Sequence, residues 1–197
     1  MMDTYLFVDG ENFLHKLEDA LTESGIPKKK IVMKNLDYSS LFESVLSGYS
    51  VTKKLFYSAR LRVFEETREK SMELIQKQRV LKQKLEKQGF DFILAGTVRP
   101  QEVKANKKTS YVFREKGVDV RIAVDMVSLS CDKKINNAIL CSSDSDLQPA
   151  IAESKHRGVK VIYLGFEISP NKGMTYTCDK TILFRNSEIL KHYTRNK

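Results

Sequence analysis

The sequence predicts an α/β protein in which a mostly parallel sheet is covered by helices on both faces. Its apolar runs are short and continuous, as at residues 5–8 and 138–141, and do not alternate with polar residues. Such runs are typical of strands that are buried on both faces. Stretches with helical spacing of apolar residues separate the runs, and this alternation favours parallel strands joined by helical crossovers.

The individual elements follow from apolar runs, helix-breaking residues and spacing. Strands are expected at residues 5–8, 53–59, 90–95, 138–141 and 159–164, with a last apolar segment at 182–184. Helices are expected at residues 12–21, 41–46, 65–87, 118–130, 148–156 and 187–192. The helix at 65–87 has the strongest pattern, because it lacks Gly and Pro and is followed by Gly89 as a C-cap.

Length and composition limit the architecture and the partners. With 197 residues, 41% of them hydrophobic and 30% charged, the chain is expected to form a single domain over residues 1–197. Within it, about residues 97–116 form a basic loop or hairpin insertion and about residues 186–197 form a C-terminal tail. The formal net charge of +9 favours a polyanionic partner, although solvated lysine faces are the commoner cause of such a charge.

Cysteine usage and targeting signals indicate the compartment. Cys131, Cys141 and Cys178 are widely spaced and form no Cys-x-x-Cys pair, which argues against a disulfide framework and a zinc site. The N-terminus has no signal-peptide pattern, and no apolar run is long enough to span a bilayer. A reduced, cytoplasmic protein with no membrane partner is therefore expected.

Aspartates follow two of the expected strands at the point where each strand ends. Asp9 ends the first strand, and Asp144 ends the fourth, with Asp146 two residues later. Ligands of open parallel sheets bind beyond the carboxyl ends of the strands, where these aspartates are expected to meet. The helix before the fourth strand is a right-handed crossover, so its first turn brings Asp119 to the same edge.

The two aspartates of that helix are expected to differ in role. Asp119 lies on the apolar stripe that contains Ile122 and Met126, where a carboxylate is costly unless its charge is compensated. Asp125 lies about 120° from the centre of the stripe and nearly two turns deeper along the helix. Asp125 is therefore expected to form a structural salt bridge or hydrogen bond rather than part of the site.

Each aspartate taken alone has a structural explanation, as a turn residue before Gly10 or as a helix cap. Taken together, several carboxylates at one edge without fixed cations would repel one another unless a metal ion lay between them. Oxygen ligands in that number suit Mg²⁺ or Mn²⁺, which activate water for attack on a phosphodiester. The expected metal ligands are Asp9, Asp119, Asp144 and Asp146.

Other chemistries find less support in the sequence. His15, His156 and His192 fall on expected helices and are predicted to be surface or helix-end residues. No glycine-rich phosphate-binding motif is present. A phosphatase of the haloacid dehalogenase type would use Asp9 as a nucleophile, but it needs a second aspartate where Glu11 stands.

Three segments resemble the NYN domain family, and most closely its bacterial LabA-like (DUF88) branch, which is related to PIN-domain nucleases. They are residues 7–12 (FVDGEN), 116–125 (KGVDVRIAVD) and 142–147 (SSDSDL), and the similarity runs in order over roughly residues 3–185. The resemblance implies a PIN-like three-layer α/β/α sandwich of about five strands in the order 3-2-1-4-5. It also implies Mg²⁺- or Mn²⁺-dependent cleavage of RNA. The implied catalytic residues are Asp9, Asn12, Asp119, Asp144 and Asp146, with Asn12 in an orienting or substrate-contacting role.

Some positions need separate comment against the family pattern. Many relatives have Gly where this chain has Ser143 and Phe where it has Leu147, so the loop or the wall beneath the carboxylates is expected to differ. Asp179 matches a family position but falls well past the fifth strand, and it is expected to be structural.

Basic residues with aromatics among them lie between the third strand and the Asp119 helix. The basic residues are Lys104, Lys107, Lys108, Arg114 and Lys116, and the aromatics are Tyr111 and Phe113. Because the segment begins at the carboxyl edge, it is expected to hold a phosphate backbone while the aromatics stack on unpaired bases of single-stranded RNA. A solvated hairpin whose aromatics pack on the body of the protein explains the pattern equally well.

The sequence therefore favours a metal-dependent ribonuclease. The alternative is a non-catalytic RNA-binding or regulatory module that keeps the fold. Whether the chain forms a homo-oligomer stays open.

Overall fold

A computed structural model describes residues 3–105 and 108–194, and one sheet organises them. Its strands are β1 (Thr4–Asp9), β2 (Val51–Arg60), β3 (Phe90–Ala105), β4 (Lys108–Lys116), β5 (Asn137–Cys141), β6 (Lys160–Phe166) and β7 (Lys180–Phe184). The sheet has seven strands in the order β4-β3-β2-β1-β5-β6-β7. Every neighbouring pair is parallel except β3 and β4, which form an antiparallel hairpin.

Helices cover both faces of the sheet. They are α1 (Gly10–Glu23), α2 (Tyr38–Val45), α3 (Arg68–Lys87), α4 (Val118–Cys131), α5 (Gln148–His156), α6 (Lys172–Thr177) and α7 (Asn186–Lys191). Buried side chains of α1, α2, α3 and α7 pack on one face, and those of α4, α5 and α6 pack on the other. None of the helices in the described ranges is long and apolar enough to cross a membrane.

The central strands are buried on both faces, which explains their continuous apolar runs. Leu6 and Val8 of β1 face the α1 side, whereas Phe7 between them faces the α4 side, because successive side chains of a strand point to opposite faces. All three are fully buried. Burying a Leu, Val or Phe side chain contributes roughly 1.5–3 kcal/mol, so these strands are a main source of stability.

The expected α/β class with a mostly parallel sheet is confirmed, but the expected five strands and their order differ in detail from the structure, which has seven strands. β7 extends one edge, and β4 extends the other. Most of β7 is only half-buried, so its apolar signal is confined to a short segment. β4 carries polar and charged residues on both faces, and its pairing with β3 is what makes it a strand.

The polar stretch expected at residues 97–116 is a hairpin that continues β3 beyond the end of β2. Arg60, the last residue of β2, pairs with Thr97 of β3, and the chain kinks just before this pair at Gly96. Gly96 has a φ of 61°, and a Cβ there would overlap the carbonyl oxygen of Lys116. The kink therefore requires glycine. Lys104 and Lys108 lie in this hairpin, and Lys107 lies outside the described residues.

Candidate functional site

The site lies at the carboxyl edge of the sheet, between the adjacent central strands β1 and β5. The chain leaves β1 into α1 on one face and leaves β5 towards α5 on the other. Strand order therefore reverses at this point, and a crevice opens between the two exits, as in other open parallel sheets.

Asp9 is the last residue of β1 and the N-cap of α1, which begins without an intervening loop. Its Oδ1 accepts a hydrogen bond from the Asn12 amide at 3.3 Å, and its Oδ2 accepts one from Ser142 Oγ at 3.0 Å. The residue is only 7% exposed. This burial raises the pKa of the Asp9 carboxyl above its ordinary value, although the two hydrogen bonds lower it. The nearby charges of Asp144 and Glu11 raise the pKa further.

The tight exit from β1 also depends on Gly10. A Cβ at this position would overlap the carbonyl oxygen of Tyr57 on the neighbouring strand β2. The absence of a side chain lets the first turn of α1 approach β2 closely, and this fixes the direction in which Asp9 leaves the sheet.

The two aspartates after β5 are ordered by their own backbone. Asp144 caps a short 3-10 turn, Ser145–Leu147, and its Oδ1 accepts a hydrogen bond from the Asp146 amide at 2.9 Å. The Asp144 amide in turn donates to Ser142 Oγ at 3.1 Å. Ser142 therefore connects Asp9 to the Asp144 loop through one buried hydroxyl.

The structure brings three of the four expected ligands into one group. Carboxylate oxygens of Asp119, Asp144 and Asp146 lie within 4.8 Å of one another. Asp119 and Asp144 are half-buried, Asp146 is exposed, and Asp119 extends from the first turn of α4 as expected. Asp9 lies outside this group, although it is close enough to Asp144 for their charges to interact.

Asn12 orients the loop that carries Asp144. Its Oδ1 accepts hydrogen bonds from the amide of Ser143 at 3.1 Å and from Ser143 Oγ at 3.0 Å. Asn171 Nδ2 donates to the Ser143 carbonyl oxygen at 2.8 Å. A glycine at position 143 could not form the hydrogen bond from Ser143 Oγ to Asn12, because it has no side chain. Leu147 is 1% exposed and packs in the core below the loop, so both departures from the family pattern are accommodated.

Comparisons with known proteins identify the family. A family model described as the NYN domain matches residues 3–185, which is nearly the whole chain. The chain belongs to the NYN family. NYN domains have a PIN-like nuclease fold and are generally ribonucleases.

A solved structure supports the fold independently. It is the crystal structure of a protein of unknown function from Vibrio parahaemolyticus RIMD 2210633, with a TM-score of 0.57 and 16% sequence identity. The match covers 92% of each chain. No curated protein matches the chain.

Two further carboxylates of this NYN domain, Glu11 and Glu115, lie at the site and were not predicted from the sequence. Glu115, near the end of β4, accepts a hydrogen bond from the Ala59 amide at 3.2 Å and shares another with the Glu11 carboxyl. Burial, together with the charges of Glu11 and Asp9, raises the pKa of Glu115 to about 8. The one available signal was alternation along β4, which places Glu115 on the opposite face from Arg114 and Lys116.

The basic residues of the hairpin that the structure describes in full lie on the face of β4 opposite Glu115. Arg114 and Lys116 are exposed, and Arg114 pairs directly with Arg99 across the hairpin. Tyr111 and Phe113 line an open groove against the segment that begins α3, and that segment contributes both acidic and basic side chains: Glu65, Glu66, Arg68, Glu69 and Lys70.

Asp125 and Asp179 are structural, as expected. Asp125 accepts a hydrogen bond from the buried Tyr57 hydroxyl at 3.0 Å and pairs with Arg121 at 2.9 Å. Asp179 accepts a hydrogen bond from the Val161 amide at 2.8 Å, and its partner Lys155 lies 3.1 Å away. His15 and His156 are exposed, and His192 ends α7, which also agrees with expectation.

Proposed function

We propose that this NYN domain is a metal-dependent ribonuclease of the LabA-like branch. The observation that carries the proposal is the group formed by Asp119, Asp144 and Asp146, with buried Asp9 beside it. Within residues 3–105 and 108–194, no lysine, arginine or histidine forms an ion pair with any of these four carboxylates. Uncompensated carboxylates at one edge fit a divalent cation, and oxygen donors suit Mg²⁺ or Mn²⁺.

The positions of the residues assign each a different role in cleavage. Asp119, Asp144 and Asp146 would hold the ion, which supplies an activated water and neutralises charge on a phosphodiester when it is bound. Asp9 is fixed by Ser142 and the Asn12 amide, and its raised pKa suits it to accept a proton from the attacking water. Asn12 holds the Asp144 loop through Ser143.

We propose single-stranded RNA as the substrate. The family suggests RNA, and the net charge of +9 favours a polyanion. The basic hairpin residues proposed to bind the phosphate backbone are Lys104, Lys107, Lys108, Arg114 and Lys116. Because Arg114 and Lys116 lie on the face opposite Glu115, we place RNA binding by the hairpin outside the carboxylate group.

Replacement of a metal ligand tests the proposal. Asp144→Asn keeps the size of the side chain but removes a charge, and we expect it to lower cleavage of a single-stranded RNA in Mn²⁺ by about 100-fold or more. The matched control is Asp132→Asn, which removes the same charge near the far end of α4, where Asp132 pairs with Lys134. Circular dichroism checks that both variants are folded.

Three outcomes separate the alternatives. Loss of cleavage in Asp144→Asn but not in Asp132→Asn supports the nuclease. Equal cleavage by Asp144→Asn and the parent contradicts it. Salt-sensitive RNA binding that EDTA does not change, with no cleavage by the parent in any divalent metal, would instead identify a non-catalytic RNA-binding module.

A further inference from the structure

A narrow cleft lies beside the carboxylate site, between α1 and the loop after β6. Its polar lining includes Asn12, Lys16, Ser142 and Ser169. Lys16 Nζ donates a hydrogen bond to Ser169 Oγ at 2.8 Å across the cleft. Because Asn12 and Ser142 also hold Asp9 and its loop, the cleft and the carboxylate site share a wall.

Lys16 differs from the other lysines that the structure describes as half-buried. Lys54, Lys82 and Lys155 each form an ion pair, with Glu43, Glu86 and Asp179 respectively, and Lys84 interacts electrostatically with Asp37. Over the described part of the chain, Lys16 forms no ion pair, and its contact is a neutral hydroxyl. A partly desolvated ammonium without a counter-charge favours an anion, because burial of an unpaired charge is costly.

The size of the cleft limits what that anion can be. The cleft encloses about 10 Å³, which is about the space that one water molecule needs. A nucleobase is far too large to enter, whereas one oxygen of a phosphate can reach the ammonium from the mouth of the cleft. Lysine binds phosphate as a point charge and does not need a larger, shaped pocket.

We propose that Lys16 binds a phosphate of the RNA backbone next to the phosphate that is cleaved, and that Ser169 holds its ammonium in place. This inference rests on the proposed ribonuclease function. The carboxylates at the edge repel a polyanion, and a cation one helical turn after Asn12 offsets that repulsion where the backbone passes the site. Lys16 is thus a positioning residue for the substrate.

Kinetics and RNA binding test the inference with three variants. We expect Lys16→Met to raise KM for single-stranded RNA about tenfold while kcat changes little, because a contact to a flanking phosphate is present before and during reaction. Lys16→Arg should recover most of the loss, because it keeps the charge. The matched control is Lys134→Met, which removes an exposed lysine at the opposite edge of the sheet and should leave KM unchanged.

A binding measurement in EDTA separates this inference from the nuclease proposal. Loss of one phosphate contact should reduce the slope of log K against log salt concentration by about 0.7 for a single strand. This reduction in Lys16→Met supports the phosphate contact even if the parent cleaves no RNA, in which case the nuclease proposal alone fails.

Other results would overturn the inference. One is that Lys16→Met leaves both KM and the salt slope unchanged while the parent cleaves RNA. Another is that Lys16→Met lowers kcat and leaves KM unchanged. A purely structural tie between Lys16 and Ser169 predicts that Lys16→Met and Ser169→Ala lower the melting temperature equally without changing the salt slope, and this result would also contradict the phosphate contact.

Discussion

At the scale of single residues, the site depends on one buried hydroxyl. Ser142 Oγ donates to Asp9 and accepts from the Asp144 amide, so it sets the spacing of two carboxylates that come from different strands. The aspartates at strand ends were predictable, because strand direction alone places them at one edge. The contact between Glu11 and Glu115 was not predictable from the sequence, because it depends on how the hairpin places Glu115 at the end of β2.

The raised pKa of Glu115 predicts how stability changes with pH. The folded state holds this proton more tightly than the unfolded chain, whose glutamate has the ordinary pKa of 4.5. The stabilisation is therefore complete below pH 4.5 and is lost as the pH rises through about 8. In EDTA, we expect the melting temperature of the parent to be lower at pH 9 than at pH 6, and Glu115→Gln to reduce this difference.

Scanning calorimetry at the two pH values measures this effect. Glu69→Gln is the matched control, since Glu69 is exposed in the first turn of α3, and it should keep the pH dependence of the parent. If Glu115→Gln also keeps the full difference between pH 6 and pH 9, the assignment of a proton to Glu115 is wrong.

At the scale of elements, α4 must lie at a fixed height on the sheet for Asp119 to reach the other carboxylates. The buried Tyr57 hydroxyl of β2 donates to Asp125 at 3.0 Å, nearly two helical turns beyond Asp119. The stripe of Val118, Ile122 and Met126 packs below it. The helix and its apolar face were predictable from periodicity, but the bond from Tyr57 requires the sheet to be assembled first.

Removal of that bond should destabilise the domain modestly. We expect Tyr57→Phe to lower the free energy of unfolding by about 1 kcal/mol, because Asp125 keeps Arg121 as a partner. Tyr111→Phe removes a hydroxyl from the exposed side of the hairpin and should change stability by less than about 0.5 kcal/mol. Urea unfolding measures both values, and equal stability of Tyr57→Phe and the parent would show that the bond does not hold α4.

The hairpin of β3 and β4 could not be predicted from hydrophobic periodicity. Central strands are buried on both faces and give continuous apolar runs. In the hairpin of β3 and β4, residues 101–103 and 110–112 are all exposed, so they show no alternation of buried and exposed side chains. Its strands form because their backbones pair with each other, and that pairing leaves no mark in hydrophobic periodicity.

At the scale of the whole molecule, the order of the strands creates the site. β1 and β5 are neighbours although 127 residues separate Asp9 from Asn137, the first residue of β5, and their exits lead to opposite faces. The alternation of strands and helices predicted the parallel sheet, whereas the neighbour order came from the family resemblance. The clustering of Asp119, Asp144 and Asp146 is the structural consequence of that order.

Direct titration of Mn²⁺ is the measurement that tests the central claim most directly. Isothermal titration calorimetry should show Mn²⁺ binding to the parent and to Asp132→Asn, and binding at least about tenfold weaker in Asp144→Asn, because a carboxylate ligand is lost. Binding should also raise the melting temperature of the parent, since a ligand of the folded state stabilises it. No binding of Mn²⁺ by the parent, or equal affinity in Asp144→Asn, would contradict a metal site at these aspartates.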